Sequence, residues 1–301
     1  MIFSYRTICF YMKQTVVIFG KGYIGLELGT ALTAEGYQVM QLSRAEMDYT
    51  NPSSLSSFLT QLKEKDKKTI IINCVGFTGK PNVDECEIST VKPVCLSLNA
   101  SLPLAMASEC KSLNLPFIHV SSGCIYNGYT KVFSETDTPN FGVFNPESSF
   151  YSKTKHQGEI NLSSINYGSI LRIRMPFTRT PHPRNFLVKI NKYPDILNSE
   201  NSVTSVEDFC AFVYQFIKIG AHKSYGIYNV VNPGVVTNRS IRTMMGTADK
   251  CRVVTEDYLL QNGMMARRSN CLLSTTLIES LGLGLPSASY SLSLAISEIH
   301  D

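Results

Sequence analysis

Tyr151 and Lys155 have the spacing of a proton donor and its charged neighbour. Within Tyr-Ser-Lys-Thr-Lys they are four positions apart, which on a helix places the phenol and the ammonium on one face. The ammonium is expected to lower the proton affinity of the phenol, which can then protonate a carbonyl oxygen while hydride arrives at the carbon. With 15 tyrosines in the chain, about one such spacing is expected by chance, so order and context must support this interpretation.

A strand that ends in hydroxyl groups precedes this pair. The run Phe117–Ser121 continues into Ser122, and the carboxyl edge of a parallel sheet is where ligands bind. At that edge Ser122 would hydrogen-bond a substrate carbonyl beside Tyr151. The alternative is that these serines only satisfy backbone groups at the end of the strand.

A glycine-rich turn, Gly-Lys-Gly-Tyr-Ile-Gly over residues 20–25, lies between an apolar strand and a helical stretch. Gly20 allows the tight turn, Gly22 lets a pyrophosphate approach backbone N–H groups, and Gly25 allows close helix packing. This strand-turn-helix context indicates a dinucleotide site. The residues expected to contact or support the cofactor are Gly20, Gly22, Tyr23, Ile24, Gly25, Ser43, Arg44, Asp48, Cys74, Tyr151 and Lys155.

The end of the second predicted strand favours NADPH over NADH, with NADH as the alternative. An NAD enzyme usually has an acidic residue there, whereas this chain has Ser43 followed by Arg44. A guanidinium suits a 2′-phosphate by charge and by its fork of donors, although Arg44 could also be a solvated loop residue. Asp48 would meet the adenine amine or cap the helix that starts near Pro52.

Strands that alternate with helices must position these residues. The predicted strands are Thr15–Phe19, Gln38–Leu42, Thr69–Val75, Phe117–Ser121 and Ser169–Arg174. This order predicts an α/β fold, a Rossmann-type doubly wound parallel sheet with a smaller C-terminal substrate-binding lobe. We expect an N-terminal extension (1–11), an NADP-binding domain (12–176) and a mainly substrate-binding lobe (177–301) with segments that return to the Rossmann domain. Further helices are predicted at about Val206–Ile219 and Leu273–Leu281 and at the end of the chain.

Composition limits the classes of function. The chain of 301 residues is 44% hydrophobic with a net charge of +4, and it has no basic block with interleaved aromatics, so nucleic acid is not an expected partner. Its nine cysteines form no C-x-x-C pair, which favours a reducing, cytoplasmic location. Residues 1–11 are apolar but too short to span a bilayer, so no membrane association is expected. No His/Cys/Asp cluster has metal-ligand spacing, so no metal is expected.

The glycine turn, Ser122, Tyr151 and Lys155, in this order, resemble those of the extended short-chain dehydrogenase/reductases, which include dTDP-4-dehydrorhamnose reductase. Longer blocks resemble one subgroup, the bifunctional nucleotide-rhamnose synthase/epimerase-reductases, from about Lys13 to Ile296. These blocks include NCVGFTGKPNVDECE (73–87), SSGCIY (121–126), FYSKTK (150–155), LRIRMP (171–176), PRNFLVKI (183–190) and GIYNVVNPGVV (226–236). The resemblance implies 3,5-epimerisation and then 4-keto reduction of a UDP- or dTDP-linked 4-keto-6-deoxyglucose with NADPH.

The resemblance also supplies two residues for the epimerisation. Cys124 occupies the position of the family's epimerase cysteine, and a thiolate there could remove the acidic proton at C3 or C5. Lys189 matches the epimerase lysine, which would return a proton from the opposite face. His182 is the competitor for the second role. A buried, inert cysteine and an exposed lysine are the alternatives for these two positions.

Six further residues are implied in substrate binding. They are Thr78, Lys80, Asn82, Arg184, Asn185 and Arg268. The chain departs from the family pattern in two places. The loop GVFNPESSF before Tyr151 is longer than in the plant-like pattern, and because it borders the substrate it leaves the sugar or base preference open. Lys80 replaces the usual arginine, which keeps the charge but loses the planar fork of donors.

Two other functions and two protein partners stay open. The chain could be a single-step 4-keto reductase whose substrate arrives already epimerised, in which case Cys124 would be dispensable. It could also be a non-catalytic NADP-binding subunit, against which the intact Ser122, Tyr151 and Lys155 set argues. The partner expectation is a homodimer or association with a 4,6-dehydratase, besides the nucleotide-sugar substrate.

Overall fold

The computed structural model describes residues 14–299, and the predicted extension over 1–11 lies outside the described residues. Its strands are β1 (Thr15–Phe19), β2 (Gln38–Leu42), β3 (Ile70–Asn73), β4 (Phe117–Ser122), β5 (Ser169–Ile173), β6 (Pro176–Phe177), β7 (Asp195–Ile196), β8 (Glu200–Ser205), β9 (Gly226–Asn229), β10 (Asn232–Thr237) and β11 (Arg252–Val253). The helices are α1 (Tyr23–Ala34), α2 (Pro52–Lys65), α3 (Lys92–Leu96), α4 (Leu102–Ser112), α5 (Phe150–Ile165), α6 (Phe186–Ile190), α7 (Val206–Lys218), α8 (Asn238–Met244), α9 (Glu256–Gln261), α10 (Thr276–Ser280) and α11 (Ala288–Ile299).

Six strands form one parallel sheet in the order β2-β1-β3-β4-β5-β9. The chain moves from β1 to β2 on one side and returns to β3 on the other, so the order reverses between β1 and β3. Ligands of open α/β sheets bind outside the carboxyl ends of the strands at such a reversal. The predicted α/β class with a parallel sheet is confirmed.

Alternate residues of the central strands belong to two separate hydrophobic cores, one on each face of the sheet. Val16 and Ile18 of β1 pack with α1 and α7, whereas Val17 and Phe19 pack with α2 and α4 on the opposite face. Helices therefore cover both faces, which explains why these strands are apolar throughout rather than alternating. Leu28 of α1 is fully buried in the first core, and burying such a side chain contributes about 1.5–3 kcal/mol.

A smaller group of elements follows β5. Strands β10, β8 and β6 form a three-stranded sheet, β11 pairs with β7, and α11 packs on β8 and β10. Phe177, Val203 and Leu292 belong to their own core cluster. By contrast, β9 pairs with β5 and α7 packs on α1, so these later segments lie with the parallel sheet. The domain boundary at 176 stays a prediction.

Two local predictions differ from the structure. The strand predicted over 69–75 covers only Ile70–Asn73, because the Asn73 side chain accepts a hydrogen bond from Val75 N (2.9 Å) and turns the chain. The helix predicted from Leu273 is only α10, because Leu273 instead forms a β-bridge with Phe133. No helix in the part of the chain that the structure describes is long and apolar enough to cross a membrane.

Candidate active site

The turn after β1 is shaped for a dinucleotide. Gly20 has φ +102°, and a Cβ there would lie 2.9 Å from Val75 N; a Cβ on Gly25 would overlap the Gly20 carbonyl oxygen. Gly22 is the N-cap of α1 and has open space where its side chain would point. The first backbone N–H groups of a helix have no intrahelical partner and favour anions. The described residues therefore fit the diphosphate of a dinucleotide.

Side chains around this turn support it rather than line it. Ile24 and Cys74 pack against the core on the α1 face, and burial raises the pKa of the Cys74 thiol to about 12. Tyr23 stacks on His182 with ring centroids 4.6 Å apart, and its hydroxyl lies 3.2 Å from Thr178 Oγ1. The Tyr23–His182 stack joins the turn to the segment that leads into α6.

The end of β2 holds a carboxylate that the sequence analysis did not single out. Glu46 accepts hydrogen bonds from the Ser43 N and Oγ atoms (2.8 Å each) and pairs with Lys21. The Lys21 ammonium, followed by the Ser43 bonds, lowers the pKa of Glu46 to about 2. Arg44 is exposed and makes no ion pair within residues 14–299, which leaves its guanidinium open to a 2′-phosphate.

Asp48 does not cap α2. Its carboxylate accepts from Thr50 N (3.1 Å) and Thr50 Oγ1 (2.5 Å), whereas the cap is Asn51, whose side chain accepts from Ser54 N. The proposed adenine contact of Asp48 is left as a prediction.

Gly22→Ala is expected to weaken NADPH binding at least about tenfold, or about 1.4 kcal/mol, while the melting temperature stays within about 2 °C. The added methyl group meets no atom of the described residues within 4 Å but would occupy the space through which a diphosphate reaches the backbone. Titration of NADPH fluorescence measures the affinity. Gly284→Ala, in an exposed loop outside this turn, is the control. Equal affinities of the two variants would argue against the predicted diphosphate position.

The carboxyl end of β4 and the first turn of α5 bring Ser122 and Tyr151 together. Ser149 caps α5 by accepting from Ser152 N (3.1 Å), which fixes where the helix begins and places Tyr151 in its first turn. Ser122 is 7% exposed and Tyr151 9%. Ser122 Oγ also accepts from Cys124 N (3.2 Å). The longer loop before Tyr151 thus supplies the helix cap.

Burial is the largest influence on the pKa values of Tyr151 and Lys155. It raises the pKa of Tyr151 above its ordinary range, and the Cys124 thiol adds to this rise while a hydrogen bond with Ser122 opposes it. Burial also lowers the pKa of Lys155 to about 8, with Glu159 opposing. The Lys155 ammonium donates to Val120 O (3.4 Å). Desolvation is the largest contribution to the raised pKa of Tyr151, and the lowering of the phenol's proton affinity by Lys155 stays a prediction.

Asn99 joins the loop after β3 to α5. It lies in a π-helical turn, Ser97–Ser101, between α3 and α4. Its amide donates to Phe77 O (2.9 Å) and Thr154 Oγ1 (3.0 Å) and accepts from Phe77 N (2.8 Å). These bonds fix the backbone beside the Tyr151 helix, and Asn99 makes no direct contact with Lys155 in the described hydrogen bonds.

A cavity of about 530 Å³ opens beside Tyr151 and Cys124. Arg268 lines it and is held by a bidentate pair with Asp84 (2.8 and 2.6 Å). Asn82 also lines this cavity and accepts from Asp84 N (2.8 Å). A phenol, a thiol and an oriented guanidinium therefore face one space, which is large enough for a small polar ligand.

A second cavity, of about 320 Å³, holds other predicted residues. The predicted residues Lys80, Arg184 and Lys189 line it, as does Lys192, and Tyr193 lines both cavities. Burial, followed by the charge of Arg184, lowers the pKa of Lys189. The structure therefore does not place Lys189 in the cavity of Cys124. It lies three residues after Phe186, which does line that cavity.

The remaining predicted residues organise the chain before α6. The Arg184 guanidinium donates to Gly79 O (3.1 Å) and to Thr78, and the backbone N–H of Arg184 donates to His182 Nδ1 (3.0 Å). Asn185 is fully buried and caps α6, accepting from Leu187 N (3.0 Å), while its amide donates to two carbonyl oxygens. Arg184 faces a cavity, whereas the Asn185 bonds favour a structural role over the expected substrate contact.

Two residues after β5 were missed by the sequence analysis. Arg174 and Met175 line the cavity of Cys124, and Met175 has φ +42°. Non-glycine residues held in this left-handed region cluster at active sites. The sequence gives no signal for the backbone of Met175, but an arginine directly after a buried strand could have marked Arg174.

Comparisons with known proteins identify the family of the chain. The family model described as "RmlD substrate binding domain" matches residues 12–241. The chain is 31% identical over 276 residues to the bifunctional dTDP-4-dehydrorhamnose 3,5-epimerase/dTDP-4-dehydrorhamnose reductase of Arabidopsis thaliana, covering 88% of this chain and 86% of that one. It also matches three trifunctional Arabidopsis thaliana relatives but spans only 33% of the length of each.

Solved structures share the fold. The L780 UDP-rhamnose synthase from Acanthamoeba polyphaga mimivirus superposes with a TM-score of 0.83 at 26% identity, covering 95% of this chain and all of that one (100%). A dTDP-4-dehydrorhamnose reductase from Bacillus anthracis, in complex with NADP, superposes with a TM-score of 0.76 at 21% identity, over 95% of this chain and 99% of that one. The second likeness concerns the fold alone.

Proposed function

This chain belongs to the RmlD substrate binding domain family, and from that membership we propose that it is an NADPH-dependent 3,5-epimerase/4-reductase. Its substrate would be a UDP- or dTDP-linked 4-keto-6-deoxyglucose, and its product the nucleotide-β-L-rhamnose. The observation that carries the proposal is the single cavity that Tyr151, Cys124 and Arg268 share. A reductase that only delivers hydride has no use for a thiol in that position.

The reductive step uses the buried end of β4 and the start of α5. NADPH supplies a hydride to C4 when bound. The Tyr151 phenol donates its proton to the C4 oxygen, and Ser122 orients that oxygen by a hydrogen bond. The raised pKa of Tyr151 keeps the phenol protonated before the reaction. The positive charge of Lys155 stabilises the phenolate left behind.

The epimerising step depends on the same C4 ketone, which acidifies the protons at C3 and C5. A Cys124 thiolate removes one of these protons, the C–H electron pair moves into an enolate, and Ser122 and Tyr151 hydrogen-bond the enolate oxygen. Return of a proton on the opposite face inverts the carbon. In this proposal Arg268 holds the diphosphate of the nucleotide, with Asp84 fixing the plane of its guanidinium.

NADPH oxidation with UDP- and dTDP-4-keto-6-deoxyglucose in heavy water, followed by NMR of the product, tests the proposal. Rhamnose with deuterium at C3 and C5 would support both activities. Turnover only after a separate epimerase is added would support the single-step reductase. Failure to oxidise NADPH with either keto sugar would leave the non-catalytic NADP-binding subunit.

The rate of NADPH oxidation is expected to fall above pH 8. Lys155, whose pKa is lowered to about 8 by burial, is charged below that pH and loses its proton above it. The uncharged amine no longer stabilises the phenolate, whereas the phenol itself stays protonated. The measurement is kcat/KM from pH 6 to 10. Lys155→Arg should be slower but should lose the alkaline decline, and a wild-type profile that stays flat to pH 10 would contradict this role of Lys155.

Lys189→Ala is expected to lower deuterium incorporation at one of the two carbons by about tenfold or more. The proposal that Lys189 returns the proton rests on the family match, and the lysine must extend past Phe186 to reach the cavity of Cys124. Lys192→Ala, which removes an exposed ammonium from the same cavity wall, is the matched control. Equal incorporation at both carbons in the two variants would assign the second proton to another residue.

A further inference from the structure

Two arginines lie at the end of β5, and their surroundings differ sharply. Arg172 forms a buried pair with Glu159 (2.7 Å) and also contacts Tyr126. Arg174 is equally buried, with 1% exposure, yet it pairs with no carboxylate within residues 14–299. A buried guanidinium without a counter-charge is unfavourable. The groups that surround Arg174 therefore decide how its charge is compensated.

All the partners of Arg174 are formally neutral. One terminal nitrogen lies 3.6 Å from Cys124 Sγ and 2.9 Å from Ser269 Oγ. The other donates to Ser269 O (2.6 Å) and to Asn201. The Nε atom has no hydrogen-bond partner in the part of the chain that the structure describes. Of these partners, only the Cys124 thiol can acquire a negative charge.

Cys124 contacts this cation and lines the same cavity. Its thiol is half-buried and lines the cavity together with Tyr151. Besides Arg174, the titratable groups that interact with it are Tyr151, Lys155 and Cys271. Two of the four groups are cations, and neither of the others is negatively charged at neutral pH. This surrounding favours a negative charge on the sulfur.

We propose that Arg174 is a positioning residue that holds Cys124 as a thiolate facing the sugar. This inference rests on the proposed function, because a thiolate is the form that can remove a proton from C3 or C5. In that step the C–H bond breaks, an S–H bond forms, and the electron pair moves toward the C4 oxygen. A terminal nitrogen of Arg174 lies 3.6 Å from the sulfur, and in this proposal its charge acts through Cys124.

The test is the pH dependence of Cys124 alkylation by iodoacetamide in the full chain, followed by peptide mass spectrometry. In Arg174→Gln the midpoint of the alkylation rate is expected to rise by about one to three pH units relative to wild type. Arg174→Lys should restore most of the difference, because the cation is retained. Ser269→Ala is the control, because it removes a hydrogen bond of Arg174 but keeps the charge.

An unchanged midpoint in a folded Arg174→Gln would overturn the inference. If that variant does not fold, the wild-type chain alone still tests the inference. An alkylation midpoint of Cys124 that is no lower than the midpoint of the half-buried Cys251 would also overturn the inference. An unchanged midpoint with a raised KM for the sugar nucleotide would show that Arg174 binds substrate instead. Deuterium exchange at C3 and C5 tests the proposed epimerisation separately, because the alkylation profile does not depend on turnover.

Discussion

Tyr151→Phe is expected to lower kcat/KM for NADPH oxidation by about 10²–10⁴-fold, the range lost when a positioned general acid is removed. The ring packs in a cluster with Cys86 and Cys95, and phenylalanine preserves that packing. The fold and NADPH affinity should therefore change little. Stopped-flow or steady-state absorbance with a 4-keto-6-deoxy sugar nucleotide measures the effect.

Tyr225→Phe is the matched control for this substitution. It removes a phenol that is hydrogen-bonded to Ser163 Oγ (2.9 Å) but lies outside both cavities. The control should retain wild-type kcat/KM. If Tyr151→Phe lost less than about fivefold, the proton would come from another group or from water, and the assignment of Tyr151 would be wrong.

Cys124→Ala is expected to lower deuterium incorporation at C3 and C5 by about 10²–10⁴-fold. The substitution removes the thiol from the cavity wall but leaves Ser122 and Tyr151, which in the proposed mechanism act on the C4 oxygen. Reduction of a substrate that is already epimerised should consequently fall much less. NMR of the product formed in heavy water, from both the unepimerised and the epimerised 4-keto sugar, measures the two effects separately.

Cys251→Ala controls for the loss of a cysteine, because Cys251 is also half-buried but does not line the cavity. Its incorporation should match that of wild type. Equal incorporation in Cys124→Ala would assign epimerisation to another base or to a separate enzyme. Loss of both activities in a folded variant would mean that Cys124 also shapes the reductive site.

Local patterns in the sequence were sufficient to predict the parallel sheet and the dinucleotide turn. The strand-turn-helix of Thr15–Ala34 depends on neighbours in the chain: apolar residues, then glycines that relieve close backbone contacts, then helix formers. The Tyr151–Lys155 pair is likewise local, because a single helix carries both residues. Boundaries were less accurate where a side chain turned the backbone, as Asn73 does after β3.

Only the tertiary structure decided which of the predicted residues face one another. The family resemblance placed Cys124 and Lys189 in one reaction, but Lys189 lies on the wall of a neighbouring cavity. Asn185 looked like a polar contact for substrate, but its buried bonds cap α6. A side chain's direction depends on packing between distant segments, which residue type and spacing do not encode.

The sequence by itself determined the class of fold, the cofactor turn and the candidate acid, because each depends on residues within one or two adjacent elements. The tertiary structure decided the charge environment. It brought Arg174 to Cys124 across 50 positions of the chain and buried both Tyr151 and Lys155. Electrostatic effects depend on distance and desolvation in three dimensions, so the raised pKa of Tyr151 and the lowered pKa of Lys155 became visible only in the folded chain.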